Sequence, residues 1–447
     1  MKKYDEYKDS GVAWIGEVPK HWEVFHLKHS LDGLQDGTHG TYASVDAGKV
    51  LLSAKNVTEH GLIIGESERT ISDIDHKEIV SNGFPQQGDI LLCCVGTLGR
   101  CCIFENPFPI AFQRSVTFLR TNSLLSNRML LYILRNKYID TQFQLFAKTS
   151  AQSGVYMGDL KDFYIVVPPI NEQTAIATYL DTHCAKIDNL IFIQQKRIAL
   201  LQELKQSVIT HAVTKGLNPN VEMKQSGVEW IGDVPKHWEV RKIKQCCNKE
   251  QYSIKTGPFG SQLKGEELMS HGDVSVYSQQ NVINNDFNKI RYFVSNKKAK
   301  SLSSFYTRAN DVLITSRGTI GKAAILQPLY PKGILHPCLI AIRLDQEICL
   351  PEWLTMYINQ TDCFKTDISV SSNATTIDVI YTGTLKDIYI PIPTISEQAA
   401  IASFLDHKCA TIDTSISNAQ HQIELLQEYK QSLITEVVTG KRKVTDN

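Results

Sequence analysis

Charge of one sign is missing from this 447-residue chain: 47 Lys and Arg stand against 47 Asp and Glu, a formal net charge of zero. A basic domain is the usual footprint of nonspecific nucleic-acid binding, so a DNA reader with this balance needs local clusters or a basic partner. No apolar run reaches 18 residues, and the opening MKKYDEYKDS lacks the apolar stretch of a signal peptide. A cytoplasmic protein with no membrane association is expected. The 11 cysteines include adjacent pairs but no CxxC and no Cys/His spacing suited to zinc. They read as small buried hydrophobes, with no metal site. Catalytic signatures are also absent: there is no GxxxxGK[ST], HExxH, GxSxG or [DNS]PP[YFW], and NPFP at Asn106 lacks the second adjacent proline. The chain is expected to be noncatalytic and to bind no cofactor itself.

What is present is a duplication. Residues 10–24 read SGVAWIGEVPKHWEV and residues 226–240 read SGVEWIGDVPKHWEV; INEQTAIATYLDTHCAKID from Ile170 returns as ISEQAAIASFLDHKCATID from Ile395. A period above 200 residues means two complete domains rather than a solenoid. Each half ends in a helical stripe. Ile176, Leu180, Cys184, Ile187, Ile191, Ile198, Leu201 and Val208 recur at spacings of three, four and seven, and so do Ile401, Leu405, Cys409, Ile412, Ile416, Ile423, Leu426 and Leu433. Pro168, Pro169 and Asn171 lead into the first helix and Pro393 and Ser396 into the second, while Gly216 and Gly440 suit the exits. About 43 residues at about 1.5 Å each make a rod of roughly 65 Å, and two rods with matching stripes are expected to pack as a coiled coil. Between opening and rod, short β-like runs such as ILLCCV and VLITS predict sheet-dominated domains. The expected fold class is mixed α/β (α+β), divided as 1–168, a long helix over 169–217, 218–392, and a second long helix over 393–447.

Polar, Gly-rich loops are the candidate functional residues. QDGTHGT offers Gln35, Asp36, Thr38, His39 and Thr41; its counterpart KTGPFGSQLK offers Lys255, Ser261, Gln262 and Lys264. Such groups reach base edges and phosphates, although glycines in a surface loop can also serve only to turn the chain. Lys55 and Asn56, with Gln279, Gln280 and Asn281, form a second cluster, because amides match adenine and cations match guanine. A third holds Gln113, Arg114, Gln152, His336, Asn373 and Thr375. GTLGR and GTIGK, with Arg100, Arg317 and Lys322 in or beside them, read as hairpin turns that also allow a phosphate contact. Trp14, Trp22, Trp230 and Trp238, equally spaced in the repeated openings, are expected to pack rather than stack on nucleic acid.

The frame WIGxVPxHW, the motifs PPINEQ and PTISEQ opening a helix, the phrases LLQELKQSVITHAVTKGL and LLQEYKQSLITEVVTGK, and the middle motifs DGTHGT and TGPFGSQLK resemble the specificity subunit of type I restriction-modification enzymes over nearly the whole chain. The resemblance implies that 1–168 and 218–392 are target-recognition domains, each reading half of a split sequence in double-stranded DNA. It also implies that the two rods form an antiparallel coiled coil related by a pseudo-twofold repeat, through Ile187, Ile191, Ile198, Leu201, Val208, Ile412, Ile416, Ile423, Leu426 and Leu433. Two methyltransferase subunits and restriction/translocase subunits are the implied partners, and S-adenosylmethionine, ATP and magnesium belong to them. Two rivals stand beside this reading. A self-contained methyltransferase or nuclease would need a cofactor loop, and a scaffold without sequence reading leaves the polar loops unexplained.

Overall fold

The structure, a computed structural model, describes residues 2–81, 83, 85–147, 154–372 and 379–444. Two helices dominate it: a first rod, Ile170–Lys215, and a second, Ile395–Val438. Each leaves through a glycine at positive φ, Gly216 at +75° and Gly440 at +73°, where a side chain would be strained. At the start of the second rod Thr394 forms the cap. Its hydroxyl accepts from the Glu397 amide at 3.4 Å while the Glu397 carboxylate accepts from the Thr394 amide at 3.1 Å. Ser396 therefore lies inside the helix, and Asn171 likewise lies inside the first rod. The reciprocal box fixes the cap three residues before the glutamate.

The chain divides into two compact units, Met1–Gln195 with Gln420–Asn447, and Lys196–Ala419. Each unit therefore takes in part of both rods. The reason is the apolar stripe, which draws part of both rods into each core. Ile176, Leu180, Cys184 and Ile187 share the first core with Leu433, Ile434 and Val437; Ile401 and Leu405 share the second with Ile209 and Val213. Ile412 and Ile423 are buried as well, whereas Ile191, Ile198, Leu201, Val208, Ile416 and Leu426 are half-buried. Within each unit the rod segments run antiparallel. In the first, Glu172 and Gly440 both lie against Trp22 while Asp188 meets Lys430, so numbers rise along one helix as they fall along the other. In the second, Gly216 and Glu397 flank Trp238 and Lys205 meets Asp413.

The sheets repeat as faithfully. In the first unit a four-stranded antiparallel sheet has the order Cys101–Ile103, Ile90–Cys93, Val116–Thr121, Leu31–Asp36. Its equivalent is Ala323–Ile325, Val312–Thr315, Leu339–Ile342, Ile254–Thr256. Beside it a three-stranded sheet pairs Lys49–Leu52 with Ala111–Phe112 in parallel and with Thr70–Ile71 antiparallel. Val274–Tyr277 pairs in the same way with Ile334–Leu335 and Tyr292–Val294. Nine of the cysteines are buried, and burial pushes the thiols of Cys94, Cys102 and Cys247 up to about 12, as inert core residues should be.

Candidate nucleic-acid interface

The repeated openings are locked to the rods through one carboxylate. Glu172 accepts from the Trp22 indole at 3.1 Å, from the Tyr4 hydroxyl at 2.9 Å, and meets His21 Nε2 at 2.6 Å. Glu397 takes Trp238 at 3.4 Å and His237 at 2.9 Å. Burial pushes Glu397 up, but the bonds from His237, Thr394 and Trp238 outweigh it and hold the carboxyl below its ordinary value. The neighbouring amides of Gln173 and Gln398 each donate to two backbone carbonyls and accept one amide, those of Ser126 and Leu350. The shared Glu-Gln pair is thus structural. Trp22 and Trp238 are fully buried and Trp230 is half-buried, but Trp14 is 39% exposed, a correction to its expected packing.

From this frame the first polar loop is placed by a close approach. A Cβ on Gly37 would fall inside contact distance of the Phe112 and Gln113 carbonyls, so the backbone of residues 35–41 lies directly on the segment carrying Gln113 and Arg114. Thr38 donates to the Phe112 carbonyl at 2.7 Å and Arg114 to the Thr38 carbonyl at 3.0 Å. Gln35, Asp36, Thr38 and His39 line a cavity of about 250 Å³ with Tyr42 and Phe112. Burial raises the Asp36 carboxyl, opposed by the Thr117 hydroxyl at 2.5 Å and by His39 at 3.8 Å. Thr41 and Arg114 are exposed. The structure therefore joins two groups that are about 75 positions apart in sequence.

The second unit repeats the approach with other chemistry. Gly257 lies against the His336 carbonyl as Gly37 does against Gln113. The His336 Nδ1 accepts the Cys338 amide at 3.2 Å, which assigns the ring proton to Nε2 and leaves a donor; burial lowers the ring's pKa. The ring stacks on Tyr292, with centroids 5.9 Å apart. Ser261, Gln262 and Lys264 are exposed on the loop. Lys255 is not free: its ammonium lies 4.2 Å from the Phe305 ring centre and donates to the Ser304 carbonyl at 2.7 Å. It braces the loop, because a half-buried ammonium needs those partners.

The second cluster divides. Asn56 and Asn281 are 2% exposed and their amides are consumed by backbone, Asn56 by Ser53 and Ile63 and Asn281 by Ser278, Asp286 and Lys289. Both are turn-forming residues rather than base readers, since a buried amide must be satisfied internally. Lys55 pairs with Glu68 at 2.8 Å, Gln280 is exposed, and Gln279 donates to the Arg317 and Thr319 carbonyls at 2.8 and 3.1 Å. GTLGR and GTIGK are hairpin turns joining antiparallel strands. Arg100 donates to the Ala54 carbonyl at 2.9 Å, whereas Arg317 and Lys322 are exposed. Gln152, Asn373 and Thr375 lie outside the described residues. Tyr42 and Tyr292, which complete the two sites, carry no signal in the sequence beyond being aromatic.

Residues 66–201 and 235–425 match the family described as "Type I restriction modification DNA specificity domain". The chain belongs to that family. It is 26% identical over 439 residues to the putative type I restriction enzyme MjaX specificity subunit of Methanocaldococcus jannaschii, covering 96% of each chain. It is 20% identical to the EcoKI specificity subunit of Escherichia coli (strain K12), over 75% of this chain and 70% of that one. Its fold is similar, at TM-score 0.54 and 14% identity, to the HsdS subunit from Thermoanaerobacter tengcongensis, over 95% of this chain and 98% of that one. A chain from a type I R-M system is similar at TM-score 0.68 and 15% identity, over 95% and 99%. Membership in the specificity family fits the two equivalent units and the paired rods. Among the described residues, no helix is long and apolar enough to cross a membrane.

Proposed function

We propose that this chain is the noncatalytic DNA-recognition subunit of a type I restriction-modification complex, reading a bipartite, asymmetric target in double-stranded DNA, one half with each unit. One observation carries the reading. The sheets, the Trp–Glu clamps and the rods are repeated, while the loops at equivalent places differ: Gln35, Asp36, Thr38 and His39 around a small cavity in one unit, Ser261, Gln262, Lys264 and the His336 donor in the other. Carboxylates and amides suit the amino groups of cytosine and adenine, and cations and donors suit guanine, so two unlike loops read two unlike half-sites. The rods seat two methyltransferase subunits, which flip their target adenine out of the duplex and hold the S-adenosylmethionine. Restriction subunits bring ATP and magnesium, and the complex works in the cytoplasm.

The test is to map methylated adenines in cells carrying this chain and its methyltransferase. Replacing residues 33–166 with the corresponding segment of another family member should change one half of the methylated sequence. Change in both halves would refute two independent readers. Methylation without sequence preference would favour a scaffold, and cofactor binding by the isolated chain would favour a self-contained enzyme.

A further inference from the structure

We infer that the second unit carries a phosphate-gripping surface, centred on Arg291, Lys297 and Lys300, that the first unit lacks, so that the DNA backbone is held chiefly at the half-site read by the second unit. The inference rests on the DNA-reading function proposed above and adds residues and a division of labour to it.

Strand equivalence fixes the comparison. Thr70–Ile71 and Tyr292–Val294 are the same edge of the same three-stranded sheet. The next residue in each, Ser72 or Ser295, caps a helix by accepting a backbone amide, from Asp75 at 3.1 Å or from Lys298 at 3.2 Å. The parallel partners Ala111–Phe112 and Ile334–Leu335 mark the other end. Residues 66–109 therefore correspond to residues 289–332. The first stretch holds three Lys or Arg and seven Asp or Glu; the second holds nine and one. The single acid, Asp311, is buried against Arg343 at 3.2 Å. A zero net charge over the whole chain hides this opposition.

Not every cation in the basic stretch is available. Lys298 is paired with Glu267 at 2.7 Å, Arg308 with Glu250 at 2.6 Å, and Lys289 lies 3.9 Å from Asp286. Arg291, Lys297 and Lys300 are exposed, and among the described residues no carboxylate pairs with them. Arg291 also borders the Gly257 loop. The Arg291 guanidinium lies 5.3 Å from the centre of the Tyr292 ring, Tyr292 stacks on His336, and His336 abuts Gly257. At the matching places the first unit has Glu68, tied to Lys55, then Ile74 and Lys77, the last a cation on a helix that also bears Asp73, Asp75 and Glu78. Those carboxylates repel a phosphate where the second unit attracts one.

Each phosphate neutralised releases counterions and contributes about 0.9 to the slope of log affinity against log salt. The experiment uses the complex of this chain with its methyltransferase subunits and a duplex carrying the mapped target. Arg291→Gln/Lys297→Gln/Lys300→Gln together should lower the slope by about two to three and weaken binding at low salt, with the methylated sequence unchanged, because phosphate contacts carry no base information. Arg291→Lys should keep the wild-type slope, and Asp73→Asn/Glu78→Gln in the first unit should leave it unaltered. An unchanged slope in the triple variant overturns the inference, including the case where a restriction subunit is lost, which would make the surface a protein dock. A changed methylated sequence also overturns it, since these residues would then read bases. A wild-type complex that prefers no sequence refutes the DNA-reading function instead, and the salt slope on that DNA still decides the present point.

Discussion

Lys430 reaches Asp188 with its ammonium 2.7 and 3.0 Å from the two carboxylate oxygens, and Lys205 reaches Asp413 at 2.7 Å from both. Each pair joins one rod to the other within a single unit, 225 positions from its counterpart. The first is better shielded, its side chains 16% and 32% exposed against 32% and 54%. A double-mutant cycle with Lys430→Met and Asp188→Asn should give a coupling of about 1 kcal/mol, and the same cycle at 205 and 413 about half that or less. Equal or vanishing couplings would show that shielding does not govern these pairs.

The residues next to the lysines grip the domains crosswise. Gln431 donates to the Arg135 carbonyl at 3.0 Å and Gln206 to the Gln360 carbonyl at 3.1 Å. Both carbonyls sit at the C-terminal ends of helices, Asn127–Leu134 and Pro351–Gln360, where intrahelical partners run out. Gln431→Leu should raise amide exchange in the helix Asn127–Leu134 and leave Pro351–Gln360 protected, although residue 431 belongs to the second repeat. Gln206→Leu should do the reverse. Exchange rising in the helix of the same repeat would disprove the crosswise grip.

A half-chain ending at Asn220 loses Lys430, Gln431, Leu433 and Val437 from its core. A second copy offers Lys205, Gln206 and Val208 at the equivalent places, so the half-chain should dimerise about a twofold axis and, with the methyltransferase, modify a palindromic sequence. Sedimentation showing a monomer, or methylation of the original asymmetric target, would count against it.

The Trp238 clamp should be acid-sensitive. Glu397 is held below its ordinary 4.5 by bonds that exceed the cost of burial. A carboxyl with a lowered folded pKa contributes stability that is fully present above its unfolded value and is lost as pH falls through the folded one. Denaturation of wild type and Glu397→Gln should therefore differ most above pH 4.5 and converge below it. A difference that grows on acidification would mean the sign is wrong.

The duplication, the rods and the sheet-rich middles are legible in the sequence because each rests on local periodicity or literal repetition. The Gly-rich loops were legible as candidates for the same reason. Asn56 and Asn281 were misleading, since an amide that closes a turn looks alike in sequence to one that faces DNA, and only burial distinguishes the two. The partners of Lys255, the Phe305 ring and the Ser304 carbonyl, are likewise visible only in the folded chain. Tyr292 went unseen because it is distant in sequence from His336, and Tyr42, though next to its loop, because an aromatic at a loop end looks the same whether it packs or lines a site.

By itself, then, the chain determined that there are two copies of one domain, each followed by a long amphipathic helix, and that their loops differ. These are properties of neighbours along the backbone, set by side-chain spacing and turn chemistry. Tertiary structure decided what no local pattern encodes. It assigned the far end of each rod to the other repeat's unit, because burying an apolar stripe needs a partner helix and the antiparallel one presents the matching residues. It also made two stretches of opposite charge, residues 66–109 and 289–332, structurally equivalent, because sheet registers place them at equivalent edges.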